Sequence, residues 1–224
     1  MADKKFTIDH STVWQRPDQA YGDFQDASKG LTPIELADGK NKLLQEKRDI
    51  AIFGACIYDL TGQPTFVQMN DKSDSPDAFL LQKSEADETA NNVAPVEITF
   101  YGGNKLGIPD ESLADRLSKE GGKFREKLPP DYWLLVHIGA GLNVDHLEVA
   151  HRLKEINAQF GVFSIQEIPK NALGDSMLRF VKYNPECVAK DINIGEVFHS
   201  FNGSEIPGEV TQVRGYPPKA DEHE

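Results

Sequence analysis

The run Tyr132-Trp133-Leu134-Leu135-Val136-His137-Ile138 constrains the fold more than any other stretch of this chain. A nearly continuous apolar segment leaves no face for water, so it reads as a central strand buried on both sides. Such a strand needs a packed layer against each face of its sheet. Helical patterns stand before and after it. Pro109-Asp110-Glu111 opens one that carries Leu113, Leu117 and Phe124, with a break at Gly121-Gly122. Asn143 or Asp145 caps another that runs to Phe160, with Leu147, Ala150, Leu153 and Ile156 on its inner side and Gly161 at its end. The expected fold class is α/β, a single domain with a central mixed β-sheet flanked by helices.

Upstream, Leu31-Thr32-Pro33-Ile34-Glu35 reads as a helix entry. Thr32 is the N-cap, Pro33 suits the first helical position, and Glu35 puts a carboxylate in the first turn. Leu36, Leu43, Ile50 and Ile57 recur every seven residues, with Phe53 between the last two, which predicts one long helix over 33–58. Gly39 and Gly54 interrupt that pattern. Residues 64–69, 78–81 and 95–101 read as strands, the first after a turn at Gly62 and the last ending at Gly102-Gly103. The polar, acidic residues 84–92 are expected to loop between the second and third. Residues 162–168 and 177–183 are further strands, and Asn202-Gly203 a turn. Residues 1–32 read as an irregular arm anchored by Trp14, Tyr21 and Phe24, residues 33–214 as the domain, and 215–224 as a disordered acidic tail.

The chain has 224 residues, enough for one sizeable domain. No apolar run is long enough to span a membrane, and Met-Ala-Asp-Lys-Lys at the start lacks a signal-peptide apolar region, so a cytoplasmic location is expected. Cys56 and Cys187 lie far apart without metal-ligand spacing and read as reduced, buried residues. A net charge of −12 opposes non-specific nucleic-acid binding, which needs phosphate neutralisation. Charge is uneven, however. Between 116 and 127, Arg116, Lys119, Lys123, Arg125 and Lys127 face only Glu120 and Glu126, a local +3. That segment is either a solvated helix face or a phosphate-contacting one.

Residues 74–101 carry the strongest chemical signal. Pro76-Asp77 opens an apolar run, and Val96, Ile98 and Phe100 alternate with Glu97, Thr99 and Tyr101. Period-two alternation sends Glu97 and Thr99 to one face of a half-buried strand. If the two runs pair as a hairpin, Asp77 approaches Glu97. Two carboxylates and a strand carbonyl then form a hard, oxygen-rich site that suits Mg²⁺. Glu46 lies on or beside the apolar stripe of the long helix, where its charge either reaches solvent or needs a partner or a metal.

This stretch resembles the PD-(D/E)xK nuclease motif, an Asp at the end of one strand and Glu-x-Lys on the next. Asp77 matches the Asp and Glu97 the Glu, while Thr99 stands where the Lys belongs. The order of elements over roughly 33–168 is also similar to the core of that family, a helix before three strands and another helix leading to a fourth. The resemblance implies a restriction-endonuclease-like fold and a metal-dependent endonuclease acting on DNA, of a restriction-type or mobile-element kind. By resemblance, Asp77, Glu97 and the Ile98 carbonyl would hold Mg²⁺ or Mn²⁺, and Glu46 would match an acidic residue on the preceding helix. Thr99 has a hydroxyl and no charge, so Lys105 or Lys83 would reach in from the flanking segments in the lysine's place, and a homodimer would cut both strands. In the same nuclease reading the locally positive face, Arg116, Lys119, Lys123 and Arg125, would contact DNA.

Other signals are weaker. Gly139-Ala140-Gly141-Leu142-Asn143-Val144 lies between a strand and a helix, where a dinucleotide fingerprint would lie, but Val144 occupies the third glycine position. A tight turn is the simpler reading. His146 and His151 are five apart, and no zinc motif is present. His137 reads as a satisfied core histidine, with a general-base role as the sharper alternative. The charge of −12, Thr99 and the acidic loop also fit a non-enzymatic interaction protein, an inhibitor or an immunity-like partner built on the same fold.

Overall fold

A computed structural model describes residues 14–36, 38–70, 75–83, 91–102, 109–122, 124, 128–199, 201 and 213–215. Three helices come first: α1 (Pro17–Ala27), α2 (Pro33–Leu36) and α3 (Lys42–Thr61). Strands β1 (Thr65–Met69), β2 (Ala78–Lys83) and β3 (Asn91–Tyr101) follow. Helix α4 (Leu113–Ser118) leads to β4 (Trp133–Ile138), and α5 (His146–Glu155) to β5 (Gly161–Ile168). The chain continues through β6 (Met177–Lys182), β7 (Val188–Asn193), α6 (Ile194–His199) and β8 (Val213–Gly215).

All the strands join one sheet in the order β1-β2-β3-β4-β5-β6-β7, with β8 paired to β3. The centre, β3-β4-β5, is parallel, because α4 and α5 carry the chain back between consecutive strands. The flanks, β1-β2-β3 and β5-β6-β7, are antiparallel. The domain is therefore α/β with a mixed sheet, and β4 is its buried middle strand. Leu134, Val136 and Ile138 pack with Leu113 and Leu117 of α4 and Val149 and Leu153 of α5. Leu135 packs on the other face with Ile50, Phe53 and Ile57 of α3. Trp14 joins Phe66, Phe79, Leu81 and Val93 in a third cluster, and Tyr21 stacks on Phe198 at 4.5 Å, so the aromatics of the N-terminal segment do anchor it.

Several boundaries differ from the sequence reading. The segment before residue 33 is not irregular throughout: Pro17, Ala20 and Phe24 form the buried stripe of α1. The expected single helix over 33–58 is split. Asp38 accepts the Lys40 amide at 3.1 Å and Asn41 donates to the Glu35 carbonyl at 2.7 Å, so local side-chain bonds turn the chain before α3 begins. Strand β3 starts at Asn91, inside the expected loop. The pair β7 and α6 was not anticipated, because four of the six residues of β7 are exposed and carry no strand periodicity. Cys56 is buried as expected, but Cys187 is exposed. The Asn202-Gly203 turn, residues 84–90 and residues 216–224 lie outside the described residues. Among the described residues no helix is long and apolar enough to cross a membrane.

Candidate active site

Strand β3 changes partners at Val96. Residues 91–96 pair with β2, and residues 96–101 pair with β4. The last β2 pair is Ala78 with Val96, so the next step along each chain brings Asp77 and Glu97 side by side. Asp77 Oδ2 accepts the Ile98 N–H at 2.7 Å. A strand residue projects its N–H and C=O to the same edge, so the Ile98 carbonyl faces Asp77 as well. Asn70 fixes the approach: its amide N–H donates to the Asp77 carbonyl at 3.0 Å and its side chain to the Pro76 carbonyl at 2.7 Å.

Three carboxylates share this region. Glu97 and Glu46 are each 5% exposed. Burial pushes the Asp77 carboxyl up, the Ile98 N–H opposes that, and the charges of Glu97 and Glu46 add to it, leaving Asp77 at about 6. Glu46 does not reach solvent, as the alternative reading had it. It is held by Lys42, whose ammonium lies 2.7 Å from Glu46 Oε1. The bond to Glu46 raises the Lys42 ammonium, and the charges of Asp77 and Glu97 act in the same direction. Lys42 was missed in the sequence, although the i, i+4 spacing to Glu46 was visible there.

The remaining candidates fall out differently. Thr99 is half-buried on β3, two residues from Glu97 and so on the same face. Lys83 is not at this site. It ends β2 opposite Asn91, roughly 17 Å of strand from Ala78, and its ammonium sits 5.8 Å from the Phe66 ring centre. Arg116 lies on α4, and Lys119 is paired with Glu111 at 3.5 Å. Lys105, Lys123 and Arg125 are outside the described residues.

His137 belongs to a separate polar cluster. Its Nδ1 lies 2.8 Å from Oδ2 of the fully buried Asp49, and Arg48 Nη2 approaches the same ring nitrogen at 3.1 Å. Arg48 also bonds Asp49 and Glu167, each at 3.2 Å. His137 is thus a satisfied histidine, and Glu167 is engaged with Arg48. His146 bonds the Tyr183 hydroxyl at 2.8 Å, and His151 pairs with Glu155. The 139–144 segment is a tight turn: Gln166 donates to the carbonyls of Gly139 and Leu142, and a Cβ on Gly139 would lie 2.5 Å from the Gly102 carbonyl oxygen.

Among the described residues, no three of His, Cys, Asp and Glu are grouped closely enough to hold a metal ion by themselves. Mg²⁺ does not require three: it commonly takes one or two carboxylates and completes its shell with water and substrate phosphate. Asp77, Glu97 and the Ile98 carbonyl match that all-oxygen donor chemistry.

No family model and no curated protein matches the chain. Among solved structures, the central domain of yeast acetyl-CoA carboxylase aligns with 57% of this chain at 9% identity and a TM-score of 0.21. This chain covers 20% of that one. A score this low does not establish a shared fold.

Proposed function

We propose that this protein is a metal-dependent endonuclease of the PD-(D/E)xK type that hydrolyses DNA phosphodiester bonds. The observation that carries the reading is the Asp77 carboxylate, held 2.7 Å from the Ile98 amide beside Glu97 where β3 leaves β2. The order helix, antiparallel β2-β3, helix and parallel β4 supports it, as does the buried Glu46 on the helix before those strands.

In this reading Asp77, Glu97 and the Ile98 carbonyl would hold Mg²⁺ or Mn²⁺, which would supply Lewis-acid activation of water and charge neutralisation at the scissile phosphate. The protein's part is positioning. The Ile98 N–H orients the Asp77 carboxylate, β3 fixes Glu97, and Thr99 offers a hydroxyl toward substrate or water. The oxygen of water would bond to phosphorus as the bond from phosphorus to the leaving oxygen breaks, and the proton released by that water would end on the leaving oxygen. Arg116 and Lys119, with the cations that follow, would supply the phosphate-binding face. A homodimer and a cytoplasmic location fit a restriction-type or mobile-element role.

The test is calorimetric titration with Mg²⁺ and Mn²⁺, paired with cleavage of supercoiled plasmid, on wild type and on Asp77→Ala/Glu97→Ala. Binding and cleavage should both vanish in the double variant. Wild type that neither binds metal nor cuts would sink the reading. The charge of −12 and the pairing of Lys119 with Glu111 favour a second reading in that event, a non-enzymatic acidic interaction protein of the inhibitor or immunity-like kind. A pull-down for a protein partner would then follow.

A further inference from the structure

Away from Asp77, four charged or titratable side chains meet near the carboxyl ends of the parallel strands, on the face covered by α3. Phe100 of β3 and His137 of β4 are register neighbours, His137 pairs with Ile165 of β5, and Glu167 lies two residues beyond Ile165 on the same face. Arg48 and Asp49 meet them from α3. Ligands of open α/β sheets gather outside such strand ends. Exposure rises outward through the cluster: the side chains of Asp49, His137, Arg48 and Glu167 are 0%, 15%, 16% and 52% exposed.

Asp49 holds the inner end. Its Oδ1 accepts from Arg48 Nε at 3.2 Å and its Oδ2 from His137 Nδ1 at 2.8 Å, so one buried carboxylate orients both groups. Arg48 Nη2 lies 3.1 and 3.4 Å from the two ring nitrogens of His137. The outer end is looser. Arg48 Nη1 donates to Glu167 Oε1 at 3.2 Å, a single contact to an exposed carboxylate, and such a pair contributes little to stability. Stability does not require the inner pair either, because well-packed apolar side chains commonly replace a buried ion pair without loss. Charge limits what the outer end of Arg48 can accept. Asp49 and Arg48 cancel, which leaves room for one negative charge, the one that Glu167 now supplies. The half-buried Phe100 ring, 5.2 Å from that of His137, adds an apolar flank.

We propose that Arg48, held by Asp49 and flanked by His137, is a binding site for a small carboxylate with an apolar body, and that Glu167 is its resident stand-in. A ligand carboxylate would accept from Nη1 and Nη2 of Arg48 together, a fork geometry in place of the single Nη1 contact to Glu167. Glu167 would then turn to water, as its exposure permits. The site shares no residue with the Asp77 cluster and does not depend on the nuclease reading.

The experiment titrates benzoate, acetate and inorganic phosphate into wild type, Glu167→Ala and Glu167→Ala/Arg48→Lys, with affinity read by calorimetry and the His137 ring signals by NMR. Removing the resident carboxylate should tighten benzoate by at least about tenfold, because apparent affinity scales with the fraction of sites that are open. Benzoate should shift the His137 ring signals and leave those of the exposed His151 on α5 in place. It should also bind more tightly than acetate, which has no ring to set against Phe100. Arg48→Lys keeps the charge but loses the fork, and should weaken benzoate by about tenfold or more. Failure of Glu167→Ala to bind benzoate more tightly than wild type overturns the site, and so does tighter binding that leaves the His137 signals unmoved. Both readouts come from a variant changed only at an exposed position, so they hold whether or not Arg48→Lys folds. Phosphate bound more tightly than benzoate overturns the carboxylate assignment.

Discussion

The Asp77 carboxylate accepts the Ile98 amide N–H at 2.7 Å, so a side chain at the start of β2 completes the hydrogen bonding of β3 where β2 no longer pairs with it. That bond favours the ionised carboxylate. Burial and the neighbouring carboxylates Glu97 and Glu46 work against it and prevail. Asp77 is thus fixed by a bond that favours its charged form while its surroundings disfavour that charge.

This tension has a sign. The folded value of Asp77 is about 6, against an ordinary 3.8, so the folded state holds the proton more tightly than the unfolded one. The stability this contributes is fully present below about pH 3.8 and is lost as pH rises through about 6. Two units correspond to about 3 kcal/mol as an upper bound. Asp77→Asn, which keeps an acceptor for Ile98, should therefore raise stability by about 1–3 kcal/mol at pH 7.5. It should show little gain at pH 4. Urea unfolding at the two pH values checks this, and equal effects at both would contradict it.

Asp49 makes the opposite case. Burial alone would raise its carboxyl, but His137 and Arg48 overcome burial and hold it below the usual carboxylate range. Its contribution to stability is present above the unfolded value and is lost as pH falls through the folded one. Asp49→Ala would leave Arg48 and His137 facing a buried gap, and the expected loss is about 3–5 kcal/mol. A chemical denaturation curve measures it. A loss under about 1 kcal/mol would mean that Arg48 and Glu167 carry the cluster without Asp49.

Much of the fold was legible because its strongest elements follow local rules. The β4 run announced burial on both faces, the β3 alternation announced a strand, and the pair Asp77 and Glu97 followed from a hairpin. The site was less legible where it depends on three-dimensional neighbours. Glu46 sat beside an apolar stripe, and sequence could not decide whether its charge reached water. Lys42 carried only an i, i+4 spacing, a pattern shared by many solvated pairs. Nothing in sequence placed Asp49 against His137, because 88 positions separate them. Strand β7 was missed for a different reason: an exposed edge has no buried face to impose a period.

The two cysteines should separate by reactivity. Cys56 is buried in the α3 core, and burial pushes its thiol far up. Cys187 is exposed, though partial burial raises its thiol too. A thiol reagent at pH 8 should label one equivalent in the native protein and two after denaturation. The Cys187→Ser variant should show none natively. Fast labelling of both native thiols would mean that α3 opens readily.

Gly54 tests how closely α3 is packed. It lies inside the helix, where alanine has the higher intrinsic propensity by about 1 kcal/mol. A Cβ there would lie 2.7 Å from Val67 Cγ1 on β1 and 3.0 Å from Pro17 Cγ on α1. The helix therefore touches β1 and α1 through bare backbone at this point, and both neighbours are buried. The steric cost should exceed the propensity gain, so Gly54→Ala should destabilise by about 1–3 kcal/mol. On the proposed metal-binding reading, α3 also carries Glu46, so any shift of the helix away from β1 should register as weaker Mn²⁺ binding. Thermal melts and calorimetry on this one variant test both effects. A variant as stable as wild type would show that Val67 and Pro17 yield, and that α3 is less tightly set against β1 than its backbone contact implies.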